Sequence, residues 1–77
     1  MNATQVNILV DVRQALSPQS GDQLVNALGG LHGVSRAWVS PRTSRLVLVD
    51  FDAKQTDTQH ILRTVMNRGY DARLVGM

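Results

Sequence analysis

The chain has 77 residues, a formal net charge of +2 and no cysteine, so it can build one small core that no disulfide reinforces. The missing thiols exclude a zinc ribbon, an iron–sulfur cluster, a Cys-x-x-Cys clasp and a cysteine nucleophile. Seven arginines and one lysine face six aspartates, but the arginines are scattered and form no run, which argues against a nucleic-acid partner.

Residues 1–77 read as a single domain. No stretch has the length of a membrane span or the layout of a signal peptide, so the expected location is the cytoplasm and no membrane partner is expected.

"TQVNILVDVR" alternates, with Val6, Ile8, Val10 and Val12 on one side and Asn7, Leu9, Asp11 and Arg13 on the other. That is a half-buried strand. "QALSPQSG" breaks the alternation and reads as a loop. A helix follows, carrying Leu24, Ala27, Leu28 and Leu31 on one stripe. Ser17 before Pro18 fits an N-cap with proline at the first helical position, and Ser20 with Gln23 fits a capping box one turn later. Gly29 and Gly30 weaken the helix end and Gly33 is expected to close it.

"VSRAWVS" reads as a second strand, "PRTS" as a turn and "RLVLVDF" as a third strand, the two strands forming a hairpin. Asp50 and Asp52 flank Phe51 at the strand end and are expected to be solvated. "TDTQHILRTVMNRG" reads as a second helix, capped by Thr56 with Gln59, striped by Ile61, Leu62, Val65 and Met66, and ended by Gly69. "YDARLV" is a short last strand. The order βαββαβ with right-handed crossovers predicts an α+β, ferredoxin-like sandwich: a four-stranded antiparallel sheet with two helices on one face.

Landmarks along this plan carry a resemblance. "LVNALGGLHGV", "AWVSPRTSRLVLVDFD" and "ILRTVMNRGYDARLV" resemble the heavy-metal-associated domain family, which includes copper chaperones and the metal-binding modules of metal-pumping ATPases. The likeness covers almost the whole chain and implies the same fold. Counting back from Gly33-Val34, it puts the two family cysteines on Ser17 and Ser20 and the preceding methionine on Ala15. Thiolates select soft ions such as Cu(I). A serine hydroxyl is a hard, neutral donor, so "SPQS" keeps the spacing and loses the ligands. The family's metal activity is therefore not carried over, and no metal or other cofactor is expected.

Other donors are sparse. His32 and His60 are the two histidines, and the resemblance puts both at the pole away from the serine loop, where a shared Zn or Ni site or two solvated side chains are the alternatives. Among the methionines, Met1 and Met77 stand near the chain ends and Met66 is expected to fill core. No histidine is expected near Ser17 or Ser20 to activate a hydroxyl, and no phosphate loop matches "GGLHG". The chain is thus expected not to be an enzyme. The start of the first helix offers free amides to an anion, with plain N-capping as the simpler reading.

The helices cover one face of the sheet. The other face is expected to show Leu9, Trp38, Leu46, Leu48 and Val75, with Asp11, Arg36, Arg45 and Arg73 around them. An apolar patch with a polar rim is typical of an interface, and Trp and Arg are frequent binding hot spots. RNA modules of this fold stack bases on aromatic rings at the central strands; here Leu9, Leu46 and Leu48 stand there instead. The reading that emerges is a protein-interaction or accessory module related to metal transport, binding a protein partner or a second copy through Leu9, Trp38, Leu46 and Leu48 or through the serine loop. Two alternatives are metal binding by His and Asp ligands and a small-ligand regulatory module.

Overall fold

The computed structural model describes residues 5–75. Six elements follow in chain order: β1 (Gln5–Val12), α1 (Pro18–Gly29), β2 (Val34–Val39), β3 (Leu46–Asp52), α2 (Thr58–Asn67) and β4 (Ala72–Leu74). The strands form one antiparallel sheet in the order β2-β3-β1-β4. This is the expected ferredoxin-like arrangement.

The alternation of β1 decides which side is buried. Ile8, Val10 and Val12 join Val47, Val49 and Phe51 of β3 and Leu24, Leu28, Ile61 and Val65 of the helices in one core. Val6, Ala37, Val39, Ala72 and Leu74 pack around it, half-buried. In β2, strict alternation would turn Val34 and Arg36 to the same side. The register shifts between them, so Ser35 is an extra residue. Val34 can then face the core opposite Phe51 while Arg36 faces away opposite Asp50. Gln5 Nε2 donates to Ser35 Oγ at 2.6 Å, and Ser35 Oγ donates to the Asp50 carbonyl at 3.2 Å.

Helix boundaries differ from the sequence expectations in three places. Ser17 is the N-cap of α1, its Oγ accepting from the Ser20 amide at 3.1 Å. Ser20 lies inside the first turn, so no second capping box forms with Gln23. The N-cap of α2 is Asp57 and not Thr56: its carboxylate accepts from the His60 amide at 2.8 Å. A carboxylate at the positive end of a helix gains charge–dipole energy that a hydroxyl lacks. Gly30 is the C-cap of α1, its amide donating to the Asn26 carbonyl at 3.1 Å while the Leu31 amide donates to the Leu28 carbonyl at 3.1 Å. Gly33 lies beyond, in the turn to β2, with φ +92°.

Gly33 answers two demands at once. Its φ is left-handed, and a Cβ there would stand 2.9 Å from Gln55 Cβ and 3.0 Å from Thr56 Cγ2. Its carbonyl also accepts from the Asp52 amide at 2.8 Å. Gly69, φ +94°, ends α2 with open space where a Cβ would be.

Four further residues depart from expectation. Leu16, read as loop, is buried in the core, its amide bonded to the Ser44 carbonyl at 2.9 Å. Met66, expected in the core, is 51% exposed: it continues the Leu62 edge of α2, while Ile61 and Val65 form the inward ridge. Asp50 and Asp52 are half-buried and bonded rather than solvated. Asn7 Nδ2 donates to Asp50 at 2.6 Å, and Asp52 accepts from the Lys54 amide at 2.9 Å and from Gln55 Nε2 at 3.0 Å. Asp52 thereby holds the turn that faces Gly33.

Candidate functional site

The open face of the sheet is built by register. Trp38 of β2 stands opposite Leu48 of β3, and Leu48 stands opposite Leu9 of β1. Directly opposed side chains on one face lie about 5 Å apart, so the three form a transverse row. Leu46 follows on the same side of β3, opposite Asp11. All four apolar residues are half-buried, and none is among those packed on the core. The Arg36 guanidinium lies 4.2 Å from the centroid of the Trp38 ring. The cation shields one face of the indole and fixes its position.

The face has two differently charged ends. Beyond Leu9 toward the start of β1 stand Asn7 and Asp50, joined by a hydrogen bond. At the other end, Asp11 is opposite Arg73 of β4, their side chains 3.6 Å apart. Arg13 pairs with Asp71 at 3.1 Å. The sequence expectation already places Asp11 and Arg73 around the patch; it does not include Asp71 or give the two ion pairs, which join the end of β1 to residues about sixty positions away. The alternation of β1 puts Asp11 and Arg13 on the same side.

The serine loop stands at that same pole, next to the β2–β3 turn. Ser17 Oγ donates to Ser20 Oγ at 3.0 Å while accepting from the Ser20 amide. Both hydroxyls are thus committed to each other and to starting the helix. They are neutral, hard and mutually bonded, so they do not fit a Cu(I) ion. The bonding favours N-capping over anion capture. A cavity of about 350 Å³ lies beside the loop, lined by Leu16, Pro18, Gly21 and Val39 among others. Its walls hold no charged group other than Asp22.

His32 lies in the turn after α1 and His60 in the first turn of α2, both exposed and both at the pole opposite Ser17. Among the described residues, no three His, Asp or Glu side chains converge in a way that could hold a metal ion. Met1 and Met77 lie outside the described residues. Among those residues, no helix is long and apolar enough to cross a membrane.

No protein-family model matches the sequence, and no curated protein matches it. Solved structures do match in shape. Oxidized MerP from Ralstonia metallidurans CH34 superposes with a TM-score of 0.82 at 19% identity, over 94% of this chain and 99% of that one. A copper binding domain from HMA7, a P-type ATPase, gives 0.81 at 21% identity, over 91% and 93%. The apo copper chaperone of Enterococcus hirae gives 0.78 at 19% identity, over 88% and 98%. The chain therefore has the copper-chaperone-like, heavy-metal-associated fold, with no cysteine in its sequence.

Proposed function

We propose that this chain is a protein-interaction or accessory module of metal transport, a heavy-metal-associated-like domain that docks proteins and does not carry the ion. The observation that carries the reading is the row Trp38–Leu48–Leu9 on an open sheet face, in a fold shared with metallochaperones and a copper-binding ATPase domain. The serine pair at the loop supports the second half: it can start a helix and cannot supply thiolates.

Trp38 and Arg36 are the anchor of the interface. A large ring already fixed by a guanidinium loses little side-chain freedom on binding, and rings of this kind dominate interface energies. The partner presents apolar side chains to the row, either from a second copy or from a domain of a metal-transport protein.

Sedimentation velocity over a wide concentration range tests this, with wild type and Trp38→Ser, each alone and mixed with a cysteine-bearing domain of the same fold. Association by wild type that the variant weakens about tenfold or more supports the reading. A wild type that stays monomeric in every mixture, or associates as well without Trp38, overturns it. In parallel, a Cu(I) competition against a chromophoric chelator should leave the chelator loaded. Transfer of Cu(I) to the protein would refute the non-carrier half.

A further inference from the structure

Three of the seven arginines that look scattered in the sequence meet at one cavity. Arg13 follows β1, Arg45 precedes β3 and Arg73 belongs to β4. With Asp11, Asp71 and Ala72 they line a space of about 340 Å³ at the β1–β4 end of the open sheet face. Three guanidinium groups against two carboxylates leave this lining with one excess positive charge.

The excess charge has a definite bearer. Arg73 and Arg13 have partners in Asp11 and Asp71. Among the described residues, no carboxylate pairs with Arg45. Its Nε instead donates to the Val12 carbonyl at 3.3 Å, and the Val12 amide donates to the Arg45 carbonyl at 2.8 Å. The side chain is thus tethered at Nε, and its two terminal nitrogens remain as donors at the cavity. A guanidinium presented in this way matches the two oxygens of a carboxylate or phosphate, with less freedom to lose on binding.

The existing ion pairs do not close the site. Arg13 and Asp71 are 77% and 70% exposed, and Arg73 is 83% exposed. Exposed pairs of this kind contribute little stability, so an incoming oxyanion can draw on Arg13 and Arg73 at small cost. Asp11, 24% exposed, holds Arg73 over the cavity.

We infer that this cavity is a binding site for a small oxyanion, a carboxylate or phosphate group received by Arg45 with Arg13 and Arg73 beside it. The inference is independent of the apolar row and stands or falls without it. The site is a surface concavity, so its affinity falls as salt rises.

Amide chemical-shift titrations of the whole chain test it, using inorganic phosphate in one series, succinate in a second and sodium chloride at matched ionic strength as the control. Saturable shifts at residues 11–13, 45 and 71–73 with either oxyanion, absent with chloride and weakened about tenfold or more by Arg45→Gln, are expected. Saturation by phosphate alone assigns the site to phosphoryl groups, and saturation by succinate alone assigns it to carboxylates. If Arg45→Gln disturbs the fold, Arg73→Gln serves in its place, with the same weakening expected. No saturation with either anion, shifts equal to those with chloride, or undiminished binding by a folded variant would overturn the inference.

Discussion

Replacing Gly33 with alanine separates two costs that a single glycine hides. The backbone cost comes from φ +92°, a region where an L side chain costs about 1–2 kcal/mol. The packing cost comes from a Cβ built 2.9 Å from Gln55 Cβ and 3.0 Å from Thr56 Cγ2. Gln55 Cβ, and Thr56 Cβ at 3.2 Å, are attached directly to the backbone of a turn pinned by Asp52 and cannot swing aside. Overpacking of this kind costs about 1–3 kcal/mol, which brings the total to about 2–5 kcal/mol. Gly69→Ala is the control. Its φ is +94°, but nothing lies within 4 Å of the added Cβ, so it should cost about 1–2 kcal/mol. The loss of unfolded-chain freedom is the same for both and cancels in the comparison. Urea unfolding followed by Trp38 fluorescence and far-ultraviolet circular dichroism measures both variants, with linear extrapolation to water. In heat, the Gly33 variant should melt at least about 8 °C below wild type. Equal losses at the two sites would show that the Gly33 turn does not press on Gln55 and Thr56, and the argument for that landmark would fail.

Other substitutions probe other links. Ser17→Ala removes the α1 N-cap and should cost about 1 kcal/mol in the same urea assay; no loss would mean that Pro18 alone starts the helix. Leu24→Ala empties a fully buried position and should cost about 2–5 kcal/mol, with a smaller loss showing that the core collapses around it. Arg36→Ala should shift the emission of Trp38 and lower stability by about 1 kcal/mol or less; an unchanged spectrum would contradict the stacked geometry. The double variant Ser17→Cys with Ser20→Cys should take Cu(I) from a chromophoric chelator that wild type leaves loaded, because it introduces two soft donors where the hydroxyls now lie 3.0 Å apart. Failure of the folded, reduced variant to do so would show that the loop lacks more than its thiols.

Much of the architecture was written locally. The alternation in Val6, Ile8, Val10 and Val12 set the buried side of β1, and the stripe of Leu24 and Leu28 set that of α1. Both patterns act over a few residues, so a linear reading recovers them. The positions of Leu9, Trp38, Leu46 and Leu48 on the outward side followed from the same alternation. That Ser17 and Ser20 supply no soft donor needed no structure, because residue identity alone decides it.

Tertiary structure decided what depends on residues far apart in the chain. The extra residue Ser35 reconciles Val34 with Arg36 only because β3 fixes the pairing on both sides of it. Leu16 is core because the β2–β3 turn closes over it, and Met66 is exposed because the inward ridge of α2 runs through Ile61 and Val65. Arg13, Arg45 and Arg73 form one cavity because β1 pairs with β3 on one side and β4 on the other. Hydrophobic period is a local property that the order of residues states outright. Convergence of charges is set by strand pairing, which the sequence encodes only through the whole fold.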